Sequence, residues 1–195
     1  MMRSVCVYCG ASTGVRPAYA QAAALLGRRL AERGIRLIYG GGKVGLMGVV
    51  ADAVLEHGGQ AIGVIPEALL KKEVGHHGLT ELHVVANMHQ RKQMMADQAD
   101  AFIAMPGGIG TCEELFEVFT WLQIGYHAKP IGLLNVEHYY DPLLGFLQHM
   151  VTENFLQRAQ LDQLQIADEP ATLLDRLASF KPAQVDRWSQ QRDQV

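Results

Sequence analysis

Two hydrophobic rhythms alternate along the chain. Short apolar runs recur as "SVCVYCG" (residues 4–10), "IRLIYG" (35–40), "QAIGVIP" (60–66), "ELHVVA" (81–86), "DAFIAMP" (100–106), "KPIGLLN" (129–135) and "LQIAD" (164–168). Their length, β-branched content and flanking glycines predict strands. Between them the apolar positions return every three or four residues. That spacing predicts helices over residues 17–33, 46–57, 89–99, 111–125, 139–153 and from 170 to about 179. Pro17 falls in the first turn of the first helix, and Gly34 stands just past its last. Residues 67–80 are polar without a clear period.

Strands that are apolar nearly throughout are buried on both faces. Strict strand–helix alternation then predicts an α/β fold, a doubly wound and mainly parallel sheet of about six or seven strands with helices on both faces. One domain is expected over residues 1–180, followed by a polar tail at 181–195. Sheets of this kind bind ligands beyond the carboxyl ends of their strands. The loops at residues 10–16, 40–48, 66–80, 86–91 and 106–114 are therefore the ones to examine.

Composition narrows the choice of function. The chain has 195 residues, 49% of them hydrophobic, and a net charge of −3. There is no basic excess to suggest nucleic acid or a membrane surface as partner. The opening residues have too short an apolar run for a signal peptide, and no stretch is long enough to span a bilayer. Three cysteines cannot build a disulfide framework, which points to the cytoplasm. Cys6 and Cys9 form a C-x-x-C on or at the end of a strand, where an offset of three sends side chains to opposite faces. They are read as core residues, and no metal site is expected. The pair His76 and His77 sits in a polar loop and is read as solvated.

Three loops could carry chemistry. In "GGGKVGLMG" (residues 40–48), Gly40, Gly42 and Gly45 satisfy G-x-G-x-x-G between a strand and a helix. That pattern serves a dinucleotide, another ligand's backbone contacts or a tight turn alike. In "NMHQRK" (residues 87–92), Asn87 is a candidate helix cap with Gln90 as its partner. Arg91 and Lys92 then lie in the first turn, where positive charge is disfavoured by the helix dipole, so the pair calls for an anion such as phosphate.

The third loop is "PGGIGTCEE" (residues 106–114). Thr111-x-x-Glu114 has the form of a capping box. Capping accounts for Thr111 and Glu114, but not for Gly107, Gly108 and Gly110 ahead of them. Glycines there suit backbone N–H groups that meet a phosphate or sugar, because a Cβ would block the approach. A carboxylate beside such a cradle is well placed to face an electron-deficient centre. On that reading Glu114 points to the ligand and not back to Thr111.

These motifs, in this order, resemble the LOG ("lonely guy") phosphoribohydrolases. "PGGIGTCEE" is similar to their P-G-G-x-G-T-x-x-E, and "MHQRK" to their M-H-x-R-K. "GGGKVGLMG" and "VCVYCGAS" resemble further segments, so the likeness spans roughly residues 4–177. The resemblance implies a Rossmann-like doubly wound sheet and a dimer, with the helices over 111–125 and 139–153 as candidate pairing surfaces. It also implies hydrolysis of the N-glycosidic bond of a nucleoside 5′-monophosphate, a cytokinin riboside monophosphate or AMP, without a cofactor. Older labels called such proteins lysine decarboxylases, but this sequence offers no support for a pyridoxal-phosphate lysine.

By the same resemblance Arg91 and Glu114 are catalytic. Substrate contacts fall to Glu73, Lys92, Gly107, Gly108, Ile109, Gly110, Thr111, Cys112, Glu113 and Thr120. "CGAS", Cys112 and the segment after Glu73 depart from the family's commoner residues. Two rivals remain. Molybdenum-cofactor carriers share this kind of fold and a related glycine loop and bind without turnover. A dinucleotide oxidoreductase would rest on residues 40–45 alone.

Overall fold

The computed structural model describes residues 2–70 and 75–182. Seven strands form one sheet: β1 (Ser4–Tyr8), β2 (Arg36–Tyr39), β3 (Ala61–Pro66), β4 (Glu81–Val85), β5 (Ala101–Ala104), β6 (Ile131–Leu134) and β7 (Leu164–Ala167). All neighbours pair in parallel, in the order β4-β3-β2-β1-β5-β6-β7. The architecture is the expected doubly wound, Rossmann-like one. The chain builds outward from β1 to β4, then crosses back to lay β5 on the other side of β1. Between the carboxyl ends of β1 and β5 the connections diverge, and a crevice opens there.

The helices are α1 (Pro17–Glu32), α2 (Gly45–Glu56), α3 (Glu67–Leu70), α4 (Met88–Gln98), α5 (Ile109–Gln123), α6 (Asp141–Thr152), α7 (Arg158–Leu161) and α8 (Pro170–Ser179). The short α3 and α7 and a 3-10 turn at Val136–His138 were not legible in the periodicity, because one turn carries no repeat. Helix α1 stops as expected at Gly34, whose φ of 64° suits glycine. The N–H groups of Gly34 and Ile35 return to the carbonyls of Ala31 and Leu30, which closes the helix end.

Each face of the sheet carries its own core. One unites β-strand residues such as Val5, Val7 and Leu37 with Leu26 and Leu30 of α1, Val50 and Val54 of α2 and Leu173 of α8. The other unites Cys6, Ile38 and Phe102 with Met95 of α4, Leu115 and Phe119 of α5 and Leu147 of α6. Cys6 and Cys9 fall into opposite cores, as their spacing predicts, and both thiols are free. Burial pushes both thiols up, away from the reactive thiolate form. Among the described residues no helix is long and apolar enough to cross a membrane.

Candidate functional site

The loops after β1, β2 and β5 meet at the carboxyl ends of the strands. The Gly10 N–H donates to the Pro106 carbonyl at 3.1 Å, and the Leu46 N–H donates to the Gly10 carbonyl at 3.0 Å. A cavity of about 480 Å³ opens among Gly10, Ser12, Tyr19, Leu46, Gly107 and Tyr139. That volume suits a small organic ligand. It lies at the crevice that the topology dictates, on the α1 and α2 side of the residue 106–108 loop.

On the α4 and α5 side stand Arg91 and Glu114. Arg91 is buried, with 8% of its surface exposed. Its Nε donates to the Val64 carbonyl at 3.1 Å and its Nη2 to the Gly40 carbonyl at 3.2 Å. The guanidinium is thus fixed under the ends of β2 and β3. Among the described residues no carboxylate pairs with it at ion-pair distance. Glu114 is half-buried on the first turns of α5. Burial raises its carboxyl pKa from the usual 4.5 to about 7; the positive charges of Arg91 and Lys92 oppose the rise, and Glu113 and Glu117 add to it. A carboxyl that titrates near neutrality suits general acid–base work.

The capping box expected at Thr111 does not form. Helix α5 begins two residues earlier, with Gly108 as its cap and no side-chain cap bond. Thr111 is buried in the first turn, and a Cβ on Gly107 would come within 2.1 Å of its Oγ1. Packing of Thr111 against the loop therefore replaces capping. No hydrogen bond joins Glu114 to Thr111, so the carboxyl is not spent on the helix end.

The three glycines separate on inspection. Gly107 is a packing glycine: a Cβ would also meet the Gly10 nitrogen at 2.8 Å. A Cβ on Gly108 or Gly110 would meet nothing within 4 Å, and neither has positive φ. Neither sterics among the described residues nor backbone conformation accounts for these two. They leave open space at the start of α5, where the free N–H groups of a helix gather. Ile109 between them is 87% exposed, and Cys112 is half-buried.

The loop at residues 40–48 behaves differently. A Cβ on Gly40 would sit 1.9 Å from Arg91 Nη2, one on Gly45 2.2 Å from the Ala11 carbonyl carbon, and one on Gly48 1.9 Å from the Lys43 oxygen. These three glycines serve Arg91 and backbone packing, and none of them needs a dinucleotide to explain it.

Lys92 corrects another expectation. Its ammonium does not await an external anion. It lies 2.5 Å from Glu113 Oε1 and 2.9 Å from Glu117 Oε1, and is largely buried. Burial alone would lower its pKa, but the hydrogen bonds to the two glutamates outweigh that and raise it. Lys92 ties α4 to α5 and thereby sets Arg91 beside Glu114. Asn87 does cap α4, accepting the Gln90 N–H at 3.0 Å, while Gln90 Oε1 accepts the N–H of Ala86 instead of Asn87.

Thr120 stands nine residues beyond Thr111, about 14 Å along α5. It is exposed, and its hydroxyl donates to the Phe116 carbonyl. It is not gathered with the glycine loop. Glu73 lies outside the described residues. His76 is buried, not solvated: its Nδ1 accepts the Gly78 N–H and its Nε2 lies 2.7 Å from Asp52 Oδ1. The sequence reading missed Tyr139 and Tyr140, which reach the glycine loop from the turn after β6. Their only signal was two adjacent tyrosines in a connection that begins "NVEHYY".

Fold and site together define a doubly wound α/β protein with a crevice at its topological switch point and, across the glycine loop from it, a half-buried carboxyl with a raised pKa. The family model described as possible lysine decarboxylase matches residues 47–177. A cytokinin riboside 5′-monophosphate phosphoribohydrolase of Rhodococcoides fascians is 53% identical over 158 residues, 80% of each chain. One of Arabidopsis thaliana is 48% identical over 180 residues, 92% of this chain and 83% of that one. The chain belongs to this LOG phosphoribohydrolase family.

Among solved structures, the molybdenum cofactor carrier protein of Chlamydomonas reinhardtii superposes with a TM-score of 0.69 at 18% identity, covering 91% of this chain and 97% of that one. The molybdenum cofactor binding protein of Rippkaea orientalis gives 0.66 at 23%, with 92% and 97% covered. At these identities the likeness is one of fold.

Proposed function

We propose that the protein hydrolyses the N-glycosidic bond of nucleoside 5′-monophosphates, releasing the free base and ribose 5-phosphate. The observation that carries this reading is Glu114: a half-buried carboxyl with a pKa of about 7, next to Arg91 and just past two glycines that leave the α5 N-terminus open. The relatives' names support the same activity on cytokinin riboside 5′-monophosphates; AMP, which carries the same ribose 5-phosphate and a purine, is included in the substrate class we propose.

In this mechanism the substrate phosphate meets the N–H groups of residues 107–111, which fixes C1′ of the ribose. As the bond from C1′ to the base nitrogen breaks, its electrons leave with the base and positive charge grows on the sugar. The Glu114 carboxylate stabilises that charge and takes a proton from the water that attacks C1′. The departing base takes a proton from solvent and Glu114 releases the one it took, so that the water ends as the sugar hydroxyl and the hydrogen on the free base. Arg91, held rigid by two carbonyls, turns its remaining donors to the phosphate or the departing base. Lys92 acts through Glu113 and Glu117 by holding the two helices together. Glu73 and Thr120 are further substrate contacts on this reading.

The protein acts as a homodimer in the cytoplasm. Half-exposed Phe146 on α6, exposed Ile124 and Tyr126 at the end of α5, and three free thiols support this. Release of adenine from AMP, followed by chromatography for the wild type and Glu114→Gln, tests the activity. No release by the wild type from AMP or from a cytokinin riboside monophosphate would sink it. Pterin fluorescence in the purified protein would then favour the carrier reading.

A further inference from the structure

Four successive carbonyls run through the glycine loop, and each one has a donor. The Met105 carbonyl accepts the Tyr140 hydroxyl at 2.6 Å. The Pro106 carbonyl accepts the Gly10 N–H at 3.1 Å. The Gly107 carbonyl accepts the Tyr139 hydroxyl at 2.5 Å, and the Gly108 carbonyl accepts the Cys112 N–H at 3.1 Å inside α5. A loop that meets an anion must keep its carbonyl oxygens turned away, since their partial negative charge repels it. Here two of the four are held by side chains, from adjacent tyrosines in one distant turn.

That turn is built at a conformational cost. Glu137 and His138, just before the tyrosines, have φ of 51° and 60°, a region that residues with side chains seldom adopt. Local partners hold it. Asn135 Oδ1 accepts the Tyr140 N–H at 2.7 Å, Arg16 pairs with Glu137 at 3.2 Å, and the Tyr139 ring stands edge-on to Tyr19 at 5.7 Å. Tyr140 is buried in the second core, where its hydroxyl also serves the fold. Tyr139 is 38% exposed and lines the cavity, so its hydroxyl has water as an alternative partner.

We infer that Tyr139 is a positioning residue: its hydroxyl holds the Gly107 carbonyl on the cavity side, so that the Gly108 N–H is presented on the opposite side, at the open start of α5, to a substrate phosphate. A trans peptide is planar, and its C=O and N–H point in opposite directions. Pinning one therefore aims the other. Without the hydroxyl, the peptide between Gly107 and Gly108 is free to turn its oxygen toward the anion, because both residues are glycine. This inference rests on the phosphate-binding reading of the loop given above.

Tyr139→Phe keeps the ring and removes the hydroxyl. For this variant KM for AMP should rise about tenfold with kcat within about twofold of wild type, the equivalent of one hydrogen bond to a charged group. In ¹⁵N NMR, inorganic phosphate should shift the Gly108 amide of the wild type strongly and that of Tyr139→Phe weakly, while the melting temperature changes little. Unchanged KM and an unchanged Gly108 response in the variant would overturn the inference. So would a wild-type Gly108 amide that responds to neither phosphate nor AMP. A wild type whose Gly108 amide responds in a Tyr139-dependent way but which releases no adenine would support the inference and sink the hydrolase reading.

Discussion

Residues 40–48 and residues 107–110 look alike in composition, and the molecule uses them in opposite ways. In the first loop, glycine is a structural necessity. A methyl group on Gly40, Gly45 or Gly48 would collide with Arg91 or with backbone. In the second loop Gly107 is of that kind, but Gly108 and Gly110 face open space. Nothing among the described residues requires glycine at these two positions. A glycine motif is informative only once the space around each absent Cβ is known. One loop shapes the pocket for Arg91, and the other leaves the start of α5 open.

The largest expected effect concerns Glu114, the residue that the second loop leads into. Glu114→Gln should lower kcat for AMP about 1,000-fold, within the range for loss of a general base, while the variant still binds AMP. A kcat within tenfold of wild type would remove Glu114 from the chemistry. Next comes Gly45→Ala in the first loop. Its φ of 63° and the 2.2 Å approach to Ala11 should cost about 3 kcal/mol in urea unfolding. A loss under about 1 kcal/mol would show that this loop can relax and that its glycines are not required.

The pH dependence is of similar size. Glu114 has a folded pKa of about 7, above its ordinary 4.5. Between those values the folded protein holds a proton that the unfolded chain has released. Stability present below about 4.5 is therefore lost as pH rises to about 7, by up to about 3 kcal/mol. Glu114→Gln should remove this loss, so the variant should be more stable than wild type at pH 8 and gain little at pH 4.5. The same ionisation should make wild-type kcat/KM climb as pH passes about 7. A profile that is flat from pH 5 to 8 would contradict the buried, perturbed carboxyl.

Smallest in stability is Gly108→Ala. It should leave unfolding within about 0.5 kcal/mol of wild type, since nothing obstructs the methyl group. KM for AMP should nevertheless rise about tenfold, because the methyl group occupies the approach to the N–H groups. Equal KM would place the ligand elsewhere. A large loss of stability would make Gly108 a packing glycine like those at 40–48, and the contrast between the loops would vanish.

Much of this protein was legible along the chain. Seven apolar runs became the seven strands: the inner ones are apolar because both their faces are buried, while the edge strands β4 and β7 are partly exposed and showed themselves by their length and β-branched residues. Helices α1, α2 and α5 showed themselves through a repeated buried face. Arg91 and Glu114 could be singled out because the motifs around them are local. Boundaries that depend on partners were not legible. Thr111 has the residue type of a cap, yet it is drawn into the first turn and packs against Gly107. Lys92 looked like an unpaired cation because its partners, Glu113 and Glu117, come from another helix. His76 looked solvated because Asp52, which lies 2.7 Å from it, stands 24 residues back.

Local pattern thus decided which segments are strands and helices, and that their loops gather at one edge of a parallel sheet. Period and polarity act over a few residues and need no partner. Tertiary structure alone decided the strand order and the crevice between β1 and β5. It alone buried Glu114 far enough to bring its pKa to about 7, and it alone set Tyr139 against the Gly107 carbonyl 32 residues away. Desolvation, close approach and hydrogen bonds across such separations depend on what the folded chain brings together, and no window of sequence contains both partners.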